Sequence, residues 1–511
     1  MKKKYIQLKE AFDCLLAGGM TPEALKPVAA PYGIYQQRNG NFMVRVRING
    51  GEISCGRLSG LADILAAAGG YAHLTSRQDI QLQDISAGRV VDTVLAADRL
   101  GLPFKGGGGN TYRNTVVGAD SGLGEASVFD VYPYAHALNR AIQGCEKAFA
   151  LPRKFKIGFF ANDRDRLRAS VQDLGFVAQI RDGAEGFSVY AGGGMGRESS
   201  AGIELIGFLP GSQVVRAAVA LMELFYDHGD RANRHQARLR FVLKRLGVEA
   251  FQRLYLEYFA RTAALPVHVC AHDPFPELIQ GLKRGRAANP AEGFARWSQV
   301  AALPTRFGAD VSSVRLFVPY GNLAAGQLRK IAALSAEYGS PTVRLLATQD
   351  ILIPLVHRSS LPGLHQRLLQ ELADIDLTFS SYKGHLLTCV GAAVCKIGIA
   401  ESPAVADVIA AELDRFLPPD TPEKLSLLKV MADELRISGC PNACSGHPAA
   451  KIGIQCLKRR EGEEIKTLGL LFAGAGIGAD GWARLSEPLT GEPVPLEQLA
   501  QKVMELVTRG V

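Results

Sequence analysis

The sequence predicts an α+β protein built on a duplicated strand–helix–strand unit, its two copies related by pseudo-twofold symmetry. Three observations carry this. The segment RQDIQLQDI (Arg77 to Ile85) returns as TQDILIPLV (Thr348 to Val356), 271 residues later. The same offset sets Gly50 on Gly321, at the ends of the strand-like runs FMVRVRINGG and VRLFVPYGN. Between these landmarks each copy carries an Ala/Leu-rich segment of helical character, LSGLADILAAAGG and LAAGQLRKIAALSAEYG. The matching order of elements, more than the shared Gln-Asp-Ile, argues for duplication over chance.

After each copy the chain continues as mixed α/β sequence, through a Gly-rich connection in the first half and a Cys-rich one in the second. Apolar residues recur at three- and four-residue spacing in NRHQARLRFVLKRLGVEAFQRLYLEYFART (233–262), which predicts a long helix. A boundary between halves falls in the Pro-, Gly- and polar-rich stretch 287–310. The expected organisation is an N-terminal arm with the first small unit (1–100), a first larger α/β domain (101–290), the second small unit (291–375) and a second larger α/β domain (376–511).

Bulk properties bound the function. Of 511 residues, 47% are hydrophobic and 21% charged, as in a globular protein with ample core. No apolar run reaches 18 residues, so no membrane span is expected. The N-terminal MKKKYIQLKEAFDCLLAGGM is basic, but Glu10 and Asp13 interrupt its apolar part, which argues against a secretory signal and for the cytoplasm. A net charge of +8 suits anionic ligands or an acidic partner. The basic residues form no long block and no nucleic-acid recognition motif.

Nine cysteines are present, and five of them follow position 388. An odd count without a signal segment does not read as a disulfide framework; clustering in a reducing compartment points to metal. Cys389 and Cys395 are spaced C-x5-C, and Cys440 and Cys444 C-x3-C. Zinc knuckles prefer shorter spacings and thioredoxin-like chemistry needs C-x-x-C. Four thiolates meet the demand of a cubane iron–sulfur cluster. Incidental clustering remains open on spacing alone. Pro441 suits the first turn of a helix, which would aim free N–H groups at the sulfurs. Cys14, Cys55, Cys145, Cys270 and Cys456 read as buried small hydrophobes or free thiols.

Three basic segments are candidates for anion binding. Arg45 and Arg47 alternate with Val44, Val46 and Ile48, so both guanidinium groups share one strand face. Lys154 and Lys156 alternate with Phe155 and Ile157 in the same way. Like charges held together are tolerable when an anion lies between them; a solvated outer sheet face is the ordinary alternative. Gly106 to Gly109 would let backbone approach a flat ligand closely, and Arg113 follows. Neither this run nor the glycines of 191–196 and 473–481 stand in the strand–helix context of a dinucleotide site.

TCVGAAVC followed by SGCPNACSGHPAAKIGI resembles the signature of the siroheme-containing sulfite and nitrite reductases. The duplicated units, the glycine loop and LPRKFK fit as well. The resemblance implies ferredoxin-like half-domains, a 4Fe–4S cluster on Cys389, Cys395, Cys440 and Cys444, and Cys444 as the shared axial thiolate of siroheme. It implies that Arg45, Arg113, Lys154 and Lys156 hold an oxyanion over the open face of the tetrapyrrole. Siroheme bears eight carboxylates, for which Arg77, Gln81, Arg231, Arg234 and Arg238 are candidates. His447 is expected as a polar cap, not a ligand. The implied reaction is six-electron reduction of sulfite to sulfide, or of nitrite to ammonia. In plant-type nitrite reductases the position matching Lys156 is commonly asparagine, whereas sulfite reductases keep lysine, so sulfite is the first expectation. No flavin, nicotinamide or ferredoxin module is visible, so electrons come from an external donor such as ferredoxin or a flavoprotein. Two rivals need the thiols alone: a non-catalytic iron–sulfur electron carrier, and a structural zinc protein.

Overall fold

The computed structural model describes residues 5–263, 274–285, 289–417, 421–489 and 491–509. The first half runs β1 (Ile34–Gln36), β2 (Phe42–Val46), β3 (Glu52–Ser54), α1 (Cys55–Ala68), β4 (Tyr71–Leu74) and β5 (Ile80–Ile85). It continues as β6 (Val116–Val117), β7 (Ile157–Phe160), β8 (Leu174–Arg181), β9 (Ala184–Ala191) and β10 (Ile203–Pro210). The second half runs β11 (Ala302–Pro304), β12 (Val311–Leu316), β13 (Asn322–Leu323), α2 (Ala325–Tyr338), β14 (Thr342–Leu345) and β15 (Ile351–His357). It ends with β16 (Leu387–Thr388), β17 (Leu435–Ser438), β18 (Ile452–Glu461) and β19 (Glu464–Ala473).

The two small units exchange strands. One sheet is ordered β1-β2-β5-β4-β13 and the other β11-β12-β15-β14-β3, so each is completed by a strand of the other copy. The helices that follow the exchanged strands pack together. On α1, Leu58, Leu61, Ala62 and Leu65 are buried; on α2, Leu328, Ile331, Ala332 and Ser335. These are spacings of one helical stripe. The Ser54 hydroxyl caps α1 by accepting from Arg57 N at 3.3 Å.

The repeated Gln-Asp-Ile now has a physical reason. Gln78 and Gln349 both adopt left-handed φ, +59° and +68°. Gln78 Nε2 donates across to Leu345 O at 2.8 Å, and Gln349 Nε2 donates back to Leu74 O at 3.1 Å. The motif is the lock between copies.

The duplication extends into the larger domains. In the first, β6, β7 and β8 are parallel and β9 and β10 follow antiparallel. In the second, β16, β17 and β18 are parallel, β19 is antiparallel, and a short strand at Glu487–Pro488 completes that edge. The registers correspond: Val116 pairs Gly158 and Ile157 pairs Leu174, as Leu387 pairs Arg436 and Leu435 pairs Ile452. One hydrophobic core spans the small units and the second larger domain, and a separate core underlies the first.

The long helix expected over 233–262 is two helices, Leu239–Leu246 and Val248–Arg261. Gly247 breaks it with φ +78°, a conformation glycine adopts without a Cβ clash. Among the described residues no helix is long and apolar enough to cross a membrane. The boundary stretch 287–310 is described from 289 onward, and Cys270 lies outside the described residues.

Candidate active site

The first copy supplies the cations. Arg45 lies across from Gln81 in the β2–β5 register. Gln81, with its amide oxygen toward Arg45, accepts from that guanidinium at 2.7 Å. Arg45 and Arg113 both donate Nη1–H to the Gly107 carbonyl, at 2.7 and 2.8 Å, and Arg113 Nη2 donates to Gly109 O at 2.7 Å. One carbonyl therefore holds two guanidinium groups together against their repulsion. Burial lowers Arg113 to about 10, with Tyr35 opposing and Arg45 adding to the shift. Burial would raise the Tyr35 phenol, but Arg113, the Gly109 N–H and Arg45 outweigh it and the phenol is lowered.

The glycine loop packs closely against the protein. A Cβ on Gly108 would lie 2.2 Å from Ala30 O and 2.4 Å from the Tyr35 hydroxyl, and one on Gly106 would lie 2.6 Å from Arg47 Nη1. Glycine is needed there because the loop is pressed against protein, and its carbonyls orient the arginines. Arg47 is fully buried, donates to Lys105 O at 2.8 Å and covers the Tyr112 ring at 4.3 Å. The outer-face alternative therefore does not apply to it.

Lys154 and Lys156 flank Phe155, whose backbone bridges Tyr112 in parallel. Burial takes the Lys154 ammonium down to about 7; Arg238 adds to the fall and Cys444 opposes it. Lys156 is held well below the ordinary lysine range by burial, Arg77, Lys154 and Arg238. Arg77 donates Nη1–H to Gln172 Oε1 at 3.0 Å and Nη2–H to Ile157 O at 3.2 Å and to Asn114 O.

The second copy supplies the thiols. Cys389 follows β16, and Cys440 and Cys444 follow β17. Cys389 Sγ accepts from Gly439 N at 3.3 Å and lies 3.1 Å from Ser402 Oγ; Cys440 Sγ accepts from Asn442 Nδ2 at 3.5 Å. Such N–H groups stabilise sulfur-borne charge. Burial, Cys389, Cys440 and Cys395 push Cys444 up to about 11, against the pull of Lys154. Four thiols in mutual electrostatic reach resist joint ionisation unless iron neutralises them. Among the described residues no three His, Cys, Asp or Glu side chains close on a single metal-ion position. A cubane binds each thiolate to a different iron and holds them farther apart than one ion does.

No helix begins at Pro441, contrary to expectation. Residues 441 and 442 form a turn, and Ala443 takes φ +54° and Gly446 φ +90°, which end any helical path. The N–H donors come instead from Gly439 and the Asn442 side chain. His447 is buried, bonds Ser438 Oγ through Nδ1 at 2.9 Å, and is lowered by burial to about 4, so it is neutral.

The copies meet where Ser76 Oγ donates to Cys444 O at 2.8 Å, one residue before Arg77. Cys444 is solvent-accessible yet closely surrounded by protein, as expected on the wall of a cleft. Around the lysines, several buried guanidinium nitrogens lack a protein acceptor: Nε of Arg77, Arg113 and Arg238, and Nε and Nη1 of Arg240. A Cβ on Gly194 would meet Arg238 at 2.8 Å and Arg240 at 2.9 Å. Unpaired buried donors of one sign fit a polycarboxylate ligand.

Of the residues singled out from sequence, the structure brings together Arg45, Gln81, Arg77, Arg113, Lys154, Lys156 and the four thiols. Arg231 instead donates to the carbonyls of Ala150 and Tyr226, at 3.1 and 3.2 Å, and lies over the Tyr226 ring. Sequence reasoning missed Asn114, Gln172, Asp173 and Arg240. The one signal was Gln-Asp ahead of a strand, which nothing local distinguishes from a turn.

Residues 35–96 and 306–371 match the family model of the nitrite/sulfite reductase ferredoxin-like half domain. Residues 108–262 match that of the nitrite and sulphite reductase 4Fe-4S domain. The latter match falls on the first copy, while the four thiols lie in the second, which repeats its strand order. The chain is 28% identical to the ferredoxin–nitrite reductase of Synechococcus elongatus, over 92% of this chain and 86% of that protein. It is 26% identical to the sulfite reductase (NADPH) hemoprotein beta-component of Acidithiobacillus ferrooxidans, over 81% of this chain and 74% of that protein. The solved structure of Mycobacterium tuberculosis NirA has the same fold, with a TM-score of 0.79 at 21% identity over 98% of this chain and 90% of that one. Fold, thiols and anion-ready cations define a siroheme-dependent oxidoreductase. The chain belongs to the nitrite and sulfite reductase family, whose cofactors are siroheme and a 4Fe–4S cluster.

Proposed function

We propose that this enzyme reduces sulfite to sulfide in a six-electron reaction, with electrons from a separate donor protein. The observation that supports sulfite is Lys156, embedded beside Arg77, Lys154 and Arg238. That surplus of positive charge suits the dianion sulfite better than the monoanion nitrite. Nitrite is the second reading, favoured by the relatives named ferredoxin–nitrite reductase.

Cys389, Cys395, Cys440 and Cys444 would hold the cluster, and Cys444 would also face the siroheme iron. When bound, these groups supply the iron centre and carry the electrons. Arg77, Arg238 and Arg240 would pair with siroheme carboxylates. Arg45, Arg113, Lys154 and Lys156 bind and orient the oxyanion and neutralise charge on its oxygens. An anion beside Lys156 favours its ammonium form, so substrate binding brings a proton to Nζ, from where it can pass to a departing oxygen.

The test is steady-state reduction of both anions with one artificial reductant by the native enzyme and Lys156→Asn. The expected result is a loss of sulfite turnover of about tenfold or more, with a smaller change for nitrite. An unchanged ratio of the two turnovers rejects the sulfite reading.

A further inference from the structure

The carboxylate of Asp173 lies among the cations Lys156 and Arg238. It immediately precedes β8 and its side chain is fully buried. Arg238 Nη2 donates to both of its oxygens, at 3.1 and 2.9 Å, and the Lys156 backbone N–H donates to Oδ2 at 2.9 Å. Its neighbour Gln172 holds Arg77. Two adjacent residues thus fix Arg77, Arg238 and the backbone of Lys156.

The chemistry of this carboxylate is specific. It engages Arg238 through one nitrogen and leaves Nε without a partner. The free edge of Arg238 is therefore available to a ligand carboxylate. Toward Lys156 it works differently, setting the backbone place of the ammonium and offsetting the positive field there. The charged groups that bear on Lys156 are Arg77, Lys154 and Arg238, which disfavour its ammonium, and Asp173, which favours it. Arg240 also lies within reach of Asp173 and Arg238. Among the described residues, the other carboxylates that bear on these cations are Asp79, near Arg77 and Arg113, and Glu198, near Arg240.

We propose that Asp173 is a positioning residue that couples the two sides of the site, setting Lys156 on the substrate side and Arg238 on the tetrapyrrole side. The inference rests on the reading of Lys156 as a substrate-facing cation and of Arg238 as a siroheme-carboxylate ligand. It assigns Asp173 no contact with substrate.

Asp173→Asn tests it. The amide keeps the shape and one acceptor but loses the charge and turns a donor toward Arg238. Without the negative charge, Lys156 loses its proton at lower pH. The alkaline limb of kcat/KM for the preferred anion should move to lower pH by about one unit. The ratio of tetrapyrrole to protein in the purified enzyme, read from its visible spectrum, should fall several-fold. A limb and a ratio both as in the native enzyme would overturn the proposal. Asp173→Glu keeps the charge and displaces it by a methylene. Its limb should stay at the native pH while its tetrapyrrole ratio falls, and a limb displaced as far as in the amide would also overturn the proposal. Should the amide variant not fold, the glutamate variant carries the test alone. Failure of the sulfite reading is separable, since it shows in the turnover ratio of Lys156→Asn and leaves the Asp173 pH limb untouched.

Discussion

The two larger domains share one strand order and one register, yet they carry different side chains at matching positions. By register, Lys156 corresponds to Glu434 of the other copy and Asp173 to Lys451, so the charges at matching positions are reversed. Cys440 and Cys444 likewise correspond to Asn162 and Arg166. The contrast is sharpest among buried arginines. Arg315, on β12, donates to Asp350 at 2.7 Å and to Asp433 at 2.6 Å. Burial would lower it, but Asp433 and Asp350 outweigh that and raise it. Arg240 is lowered to about 10 by burial and Arg238, with two nitrogens lacking any acceptor. Burial is similar; compensation is not. A buried charge with its partner in the chain stabilises the scaffold, and one without a partner marks where a ligand belongs.

The strongest way to break the comparison is at the thiols. Cys444→Ser should reduce turnover to background and weaken the visible tetrapyrrole bands. Arg166→Ala, at the matching position of the other copy, should leave turnover within about twofold, because its pair with Asp163 is a surface one. Normal turnover in Cys444→Ser would sink the assignment of that thiolate.

Stability should follow the opposite pattern. Arg315→Met leaves Asp350 buried without its partner and should cost about 3–5 kcal/mol in denaturant unfolding. Arg240→Met removes an uncompensated charge, so the tetrapyrrole-free protein should be unchanged or more stable, while cofactor retention falls. Equal destabilisation by both variants would remove the distinction between scaffold and site.

The smallest effect concerns the two seams where strands are exchanged. At one, Arg344 pairs with Glu52 at 3.0 Å. At the other, the register partners are His73 and Asn322. The His73 ring contacts Asn322 Oδ1 through Nδ1 and Gln349 Nε2 through Nε2, which a neutral ring satisfies as donor and acceptor. Burial lowers His73 to about 4. The unfolded histidine, with a pKa near 6.5, binds its proton first as pH falls, so this contribution to stability is full above that value and is lost toward pH 4. The loss is at most about 3 kcal/mol. Unfolding free energy measured at several pH values should show this slope, and His73→Gln should flatten it.

Much of the site was legible because its chemistry is carried by side-chain type and spacing. Two thiol pairs, Arg45, Arg113 and the alternating lysines are local facts of the chain. So was the duplication, because Gln78 and Gln349 do the same job in both copies. Asp173, Gln172 and Arg240 were not legible, since a buried carboxylate before a strand has no local signature. The broken helix at Gly247 and the turn at Ala443 show the same limit, as backbone angle overrode the apolar and proline patterns.

By itself the sequence determined the repeat, the clustering of two thiol pairs and the excess of cations, because these follow from residue identity and period. Only the tertiary structure decided which cations stay unpaired. Arg315 and Arg240 are the same residue type in similar burial, and their difference is whether Asp350 and Asp433 arrive from distant parts of the chain. It also decided that Cys444 of one copy comes within electrostatic reach of Lys154 of the other, and that Ser76 Oγ donates to the Cys444 carbonyl.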